Sequence, residues 1–291
     1  MKKRLFSLAL AATLALSLVT GCGKTADTGA AASSDSEDKV ITVGATPVPH
    51  AEILDNIVKE VLAEDGYELK TVVFQDYVLP NTSLEQGEID ANYFQTLGYM
   101  NQQNSDAGLH LVAVAGVHIE PMGIYSEKYT SLSDLPDGAE IGIPNDPDNG
   151  LRAVDLLVQK GLLVSNGGFG STDGYTEDSL SKDVEANPHG YKITPLEAAS
   201  LPLSLPDLDA AAINGNYALE AELPSKFPAL DIEEFDDAAK VKRTNFLVVK
   251  DGTQDSAKIQ ALVKALQSDK VQKYIDDTYK GAVITSFIDA Q

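Results

Sequence analysis

One cysteine, Cys22, stands in 291 residues, so no disulfide can close within the chain and its stability has to come from packing. Basic residues are also few: 22 Lys and Arg face 44 Asp and Glu, a formal net charge of −22. A surface of that sign repels nucleic acid and anionic headgroups, which excludes polynucleotide binding and attachment to a membrane through a basic patch. Beyond the N-terminus no apolar run reaches the roughly 18 residues that mark a membrane-crossing helix. The motifs of covalent and cofactor chemistry are missing too: there is no G-x-S-x-G, no G-x-x-x-x-G-K and no G-x-G-x-x-G. His50, His110, His118 and His189 show neither H-x-x-x-H nor H-x-H spacing, so no zinc or other metal site is expected. His50 reads as a structural or solvated residue at a helix start. N-D-P-D-N-G at 145–150 looks like half a calcium loop, but its glycine comes one position early and the closing glutamate is absent. It reads as a turn that caps the following helix. In the pairs Glu233-Glu234 and Asp236-Asp237 neighbouring side chains diverge, which suits a solvated face. No nucleophile–base pair or cofactor site emerges, so an enzyme is not expected.

What is present begins at the N-terminus. Lys2, Lys3 and Arg4 form a basic start, and Leu5 to Val19 is an apolar run too short for a spanning helix, which needs roughly 20 residues. The run ends on Val19-Thr20-Gly21-Cys22, which looks like a bacterial lipobox. Residues 1–21 read as a signal peptide, with Cys22 becoming the lipidated first residue. Two acyl chains meet the requirement for stable anchoring. The mature chain keeps 19 of the 22 basic residues and all 44 acidic ones, a net charge of −25. Residues 22–39 are small, polar and acidic and form a flexible lipidated tether, whose 16 central residues reach roughly 20–25 Å as a coil.

Order begins at Val40. V-I-T-V-G-A-T is a β-branched strand, and His50 to Glu64 follows as a helix with Ile53, Leu54, Ile57, Val58, Val61 and Leu62 on one face. Further strands read at 67–74, at the end of 83–94, and at 110–117, 122–126 and 139–144. A new amphipathic helix then starts with Leu151, Val154, Leu157 and Val158. Asp173 to Gly190 reads as loop with a helix around Leu180 to Glu185. Strand-led segments follow at 191–198 and 207–218, with a strand at 245–250. The chain closes on helices carrying Ile259, Leu262, Val263 and Leu266, then Val271, Tyr274 and Ile275. Alternating strands and helices predict an α/β fold with mostly parallel sheets.

At V-V-F-Q-D-Y-V-L-P-N, G-E-I-D-A-N-Y-F-Q-T-L-G-Y-M-N-Q and I-P-N-D-P-D-N-G-L-R-A the chain resembles the MetQ/NlpA family of methionine-binding lipoproteins. V-G-A-T-P-V-P-H-A-E-I-L, D-A-A-A-I-N-G-N-Y-A and the lipobox carry the same likeness. The resemblance implies a two-lobed, periplasmic-binding-protein-like (type II) α/β fold with the ligand cleft at the hinge. Lobe 1 would take residues 40–118 plus 247–291, and lobe 2 residues 119–246. It further implies a monomeric extracytoplasmic solute-binding lipoprotein, held on the cell membrane by its lipid, that delivers L-methionine to an ABC permease and its ATPase. Another apolar or sulfur amino acid, or a methionine-containing dipeptide, is the alternative ligand. An exported enzyme acting on amino-acid derivatives and a surface adhesin remain as other classes.

A free amino acid offers a carboxylate, an ammonium and a side chain. A carboxylate suits the planar bidentate fork of arginine, and the mature chain has only Arg152 and Arg243. Arg152 opens a helix, where the dipole also favours an anion. The family's carboxylate-binding arginine falls on the same residue. Arg243, in a charged K-V-K-R run, reads as solvated. By the same resemblance Tyr77, Phe94 and Tyr99 form an aromatic pocket suited to a polarizable thioether, and Asn214 and Asn245 hold the ligand's polar backbone groups. Where the family reads F-Q-H, this chain has Thr96, and Gly98 stands where the family has proline. Thr96 is expected to leave the pocket floor wider or wetter. If Cys22 is the lipid anchor, Cys22→Ala releases the protein from the membrane fraction without changing ligand affinity. Retention of the variant on membranes through a carbonate wash would contradict that reading.

Overall fold

The computed structural model describes residues 39–165 and 184–289. The signal peptide, Cys22 and residues 22–38 of the tether lie outside the described residues, as does most of the Leu180–Glu185 helix expectation. Of that last segment, Val184–Ala186 is a short strand, β8, paired with β7 (Val164–Ser165).

Two sheets organise the rest. β1 (Val40–Ala45), β2 (Glu68–Val73), β3 (Ala91–Thr96), β4 (Leu111–Ile119), β12 (Thr244–Lys250) and β13 (Ile284–Asp289) form the larger, in the order β13-β4-β12-β3-β1-β2. β5 (Gly123–Tyr125), β6 (Glu140–Pro144), β9 (Lys192–Leu196), β10 (Ala210–Ile213) and β11 (Asp231–Ile232) form the second, in the order β11-β5-β10-β6-β9. The chain passes from the larger sheet to the second between β4 and β5 and returns between β11 and β12. Both sheets are mixed, which corrects the expectation of mostly parallel ones. β1 pairs parallel with β2 and β3, and β6 with β9 and β10, each across a helical crossover. β12, coming back from the second sheet, enters antiparallel to β3 and β4, and β5 enters antiparallel to β10 and β11.

The apolar stripes are buried as the periodicity demands. Ile53, Leu54, Val58 and Leu62 pack with Ile259, Leu262, Leu266, Val271 and Ile275 against the larger sheet. The helical run after β1 opens with wide π-type turns over Pro47–Ala51 and Leu54–Val58 before Lys59–Glu64. Under the second sheet, Val154, Leu156 and Leu157 of the helix Pro147–Gln159 meet Ile124, Ile141 and Ile143. Several elements were not read from sequence, among them the helices Leu97–Ala107 and Asp237–Arg243, β11 and the last strand. The chain does not end on helices, because β13 follows Asp269–Tyr279 and pairs antiparallel with β4. Its sequence, I-T-S-F-I-D, alternates weakly and gains strand character from the β4 edge it covers.

Candidate functional site

Strand register sets one wall of the site. Asn245 of β12 lies opposite Thr96 of β3 on one side and His118 of β4 on the other. Three polar side chains therefore stand in a row where these strands end. The facing wall comes from the chain following β6 and β10. Asp146 caps the helix Pro147–Gln159 by accepting from the Asn149 amide at 2.9 Å, as the turn reading required. Arg152 is the sixth residue of that helix, in its second turn and not its first, so the dipole argument for an anion there is weakened.

Between the walls is a pocket holding about 350 Å³ of non-atom space, its open mouth included. All seven ligand-binding residues expected from sequence line it: Tyr77, Phe94, Thr96, Tyr99, Arg152, Asn214 and Asn245. Sequence reasoning missed Gln95, Glu120, Asn149, Gly215 and Asn216. Gly215 and Asn216 lie inside the I-N-G-N motif, which was the available signal for them. Gly215 is needed for room, since a Cβ there would stand 2.6 Å from the Cβ of Glu120.

The aromatic half is contiguous. The ring of Tyr77 lies 5.7 Å from Phe94 and 5.5 Å from Tyr99, and stacks on Tyr217 at 4.9 Å. Its hydroxyl donates to Asn216 Oδ1 at 2.6 Å. Burial pushes the Tyr77 and Tyr99 phenols up, so both stay protonated donors. The polar half is incompletely paired. Asn214 donates to Asn149 Oδ1 at 2.7 Å, yet Asn214 Oδ1 and Asn216 Nδ2 are buried without a partner among the described residues. Buried polar atoms left unpaired cost about 1–3 kcal/mol each, so they mark where a ligand's groups fit.

Arg152 is buried, and its guanidinium is already gripped. Its Nε donates to Glu233 Oε2 at 3.1 Å, and its Nη2 donates to Glu233 Oε2 at 2.7 Å and to the Glu120 carbonyl at 2.8 Å. Nη1 has no partner among the described residues. The bidentate face expected for a ligand is therefore spent on Glu233, and of this pocket-lining guanidinium only Nη1 is uncommitted among the described residues. Two readings are corrected here. Glu233 is not part of a solvated face, because its side chain is 2% exposed, whereas Glu234 is 85% exposed. Arg243 is not solvated either: 17% exposed, it places Nε 2.6 Å from Glu233 Oε1 and Nη2 3.6 Å from Asp155. Charges in charged runs look alike in sequence, and only the fold turned these two inward. Burial pushes the Glu233 carboxyl up, but Arg152 and Arg243 beside it outweigh that and hold it below the usual range.

Thr96 caps the helix Leu97–Ala107 by accepting from the Tyr99 amide, and donates to Asp148 Oδ2 at 3.2 Å. A Cβ on residue 98 would fall 2.1 Å from Asp148 Oδ1. The space expected to open beside Thr96 and Gly98 is thus occupied by the Asp148 carboxylate. Burial pushes that carboxyl up while Arg152 pulls it back.

The widely spaced histidines do converge, against the expectation from spacing. His50, His118 and Glu120, all buried, bring potential ligand atoms within 4.8 Å of one another, a grouping that could hold a metal ion. Their hydrogen bonds favour a different use. His118 Nε2 is 2.5 Å from Glu120 Oε1, and His50 Nε2 is 3.3 Å from both Glu120 Oε1 and Asn245 Oδ1. An ionised carboxylate can only accept, whereas the Thr46 and Tyr93 hydroxyls opposite the two Nδ1 atoms can donate, so the ring protons are assigned to Nε2. A metal would have to displace both protons.

Glu233 is the only acidic partner within salt-bridge distance of Arg152 among the described residues, and it also pairs with Arg243. Removing one member of a buried pair typically costs about 3–5 kcal/mol. Glu233→Ala should lower unfolding free energy by that order in urea, and Glu234→Ala by less than about 0.5 kcal/mol. Equal effects would refute the buried network.

The NlpA lipoprotein family model matches residues 41–287. The methionine-binding lipoprotein MetQ of Bacillus subtilis is 36% identical over 271 residues, covering 92% of this chain and 95% of that one. A membrane lipoprotein of Treponema pallidum, TpN32, is 36% identical over 256 residues, 88% of this chain and 91% of its own. A nutrient-binding protein of Burkholderia cenocepacia, solved bound to methionine, shares 37% identity with a TM-score of 0.77, covering 85% of this chain and 100% of that one. With matches spanning both sheets and every wall of the pocket, the chain belongs to the NlpA lipoprotein family.

Proposed function

We propose that this chain is the extracytoplasmic, lipid-anchored solute-binding protein of an ABC importer, and that it binds L-methionine and hands it to the permease and its ATPase. Two lobes would close on the ligand; the division at 118/119 and 246/247 expected from sequence shifts to 119/120 and 243/244, because β4 and β12 belong whole to the larger sheet. The observation that carries this reading is one pocket in which unpaired polar atoms face an aromatic box. Arg152 Nη1 and Asn216 Nδ2 are donors for a carboxylate. Glu120 and Asn214 Oδ1 are acceptors for an ammonium, and Asn245 lies beside them. Tyr77, Phe94 and Tyr99 offer ring faces and edges to a thioether, with sulfur–aromatic contacts worth roughly 0.3–1.5 kcal/mol each. No group in this set is a nucleophile next to a base, so the site is suited to holding its ligand unchanged. The matches to methionine-binding relatives support the choice of ligand.

A thermal-shift screen of the twenty L-amino acids and several methionyl dipeptides tests it. A ligand at a hundredfold excess over its dissociation constant stabilises the folded state by about 2.7 kcal/mol. Methionine should give the largest shift. A clear shift with a dipeptide or with another amino acid, and none with methionine, would keep the binding role and overturn the ligand.

Arg152→Ala should weaken methionine binding roughly 30-fold or more, since truncating one partner of a buried charged contact costs about 2–5 kcal/mol. Arg243→Ala should also weaken it, by a smaller factor, because Arg243 shares Glu233 with Arg152. Calorimetry in which Arg243→Ala exceeds Arg152→Ala would contradict the assignment of the carboxylate to Arg152.

A further inference from the structure

Glu120 lies in the short link between β4 and β5, where the chain crosses from one sheet to the other, and its side chain is buried at the pocket wall. Among the described residues no lysine or arginine side chain bonds its carboxylate. The nearest guanidinium, Arg152, donates to the Glu120 backbone carbonyl and gives its charge to Glu233. The partners of the carboxylate are instead His118 Nε2, His50 Nε2 and the amide of Asn216.

Each imidazole is fixed from behind by a hydroxyl. Thr46 Oγ1 lies 2.8 Å from His50 Nδ1, and the Tyr93 hydroxyl bonds His118 Nδ1. Hydroxyl, imidazole and carboxylate thus form two parallel arms that meet on one oxygen, Oε1 of Glu120. The rings are mutually packed as well, with His50 4.9 Å from both His118 and Tyr93. All four supporting residues, Thr46, His50, Tyr93 and His118, are fully or almost fully buried.

We infer that His50 and His118 are positioning residues for ammonium recognition: a pair of neutral donors that aim the Glu120 carboxylate into the cleft without cancelling its charge. This rests on the amino-acid-binding reading above and deepens it. The physical reason for neutral donors is electrostatic. A lysine or arginine in their place would hold the carboxylate equally well but would neutralise it, and the pocket would lose its attraction for a cation. Two neutral N–H groups satisfy the lone pairs and leave one unit of negative charge to be met by the ligand. Burial pushes both imidazoles well below their usual range, to about 4 for His50 and about 3 for His118, so neither becomes a competing cation at neutral pH. Burial also pushes the Glu120 carboxyl up, further than His50, Arg152 and the Asn216 amide pull it back, and an arriving ammonium offsets the remaining cost.

The test compares methionine with 4-(methylthio)butanoate, which keeps the carboxylate and thioether but lacks the ammonium. Binding is measured by calorimetry on the whole mature protein and on four variants. His118→Phe and His50→Leu remove the donor, and His118→Gln and His50→Gln retain a side-chain N–H. Loss of a hydrogen bond to a charged group predicts roughly tenfold to hundredfold weaker methionine binding in the first two. The analogue should change by less than about threefold, and the glutamine variants should recover most of the loss. Equal weakening of both ligands, or glutamine variants as poor as phenylalanine and leucine, would reduce the histidines to packing and overturn the inference. If the wild-type protein binds no α-amino acid, the ligand reading itself fails and the ammonium role with it. A second measurement needs no ligand. Long-range ¹H–¹⁵N correlation spectra should show both rings neutral with the proton on Nε2. A proton on Nδ1, or a charged ring, would overturn the wiring even if methionine binds.

Discussion

Glu233 holds two guanidiniums, that of Arg152 buried and that of Arg243 partly so, and much of the site depends on that one carboxylate. It follows β11, in the stretch by which the chain leaves the second sheet, while Arg243 immediately precedes β12 in the larger one. Arg152 reaches it from the helix after β6. The three residues therefore tie a helix of the second sheet to the return crossing. A buried charge without a partner is far too costly to persist, so the pairing constrains all three segments at once. It also settles how much of Arg152 is left over. With Nε and Nη2 committed, the guanidinium keeps one nitrogen for the pocket, and its charge does not require a ligand to be tolerated.

The two carboxylates nearest the pocket are treated differently, and this gives the site its polarity. Glu233 is surrounded by cations and is electrically neutralised. Glu120 is held by neutral donors, and no cation bonds its carboxylate among the described residues. The pocket therefore offers donor nitrogens of Arg152 and Asn216 together with a carboxylate that has no cation bonded to it among the described residues. The aromatic rings from β3 and the segments flanking it fill the side between them. Asp148 sits behind Thr96 and Gly98, where a bulkier residue at position 98 could not coexist with it.

Much of the scaffold was legible because its signals are local. β-Branched runs became β1, β2 and β12, the apolar stripes on Ile53, Leu54 and Val58 and on Val154 and Leu157 are buried, and the Asp146 cap begins its helix where the turn chemistry indicated. The aromatic residues and Arg152 were legible through motifs. β13 was not, since its short, weakly alternating sequence becomes a strand only by pairing with β4. The direction of β5 and β12 was also hidden, because it depends on which sheet the chain has just left.

What the sequence by itself determined is therefore the α/β alternation, the burial stripes, the lone cysteine behind an apolar leader, and the residue types that a small zwitterion would need. What only the tertiary structure decided is which charges are inside and what they face. Glu233 and Glu234 are neighbours of identical chemistry, yet one is buried between two arginines and the other is in water. His50 follows β1 and His118 lies in β4, strands that are not neighbours in the sheet, yet both imidazoles reach one oxygen of Glu120. Charge burial and hydrogen-bond direction are set by contacts between segments far apart in the chain, so no local pattern encodes them.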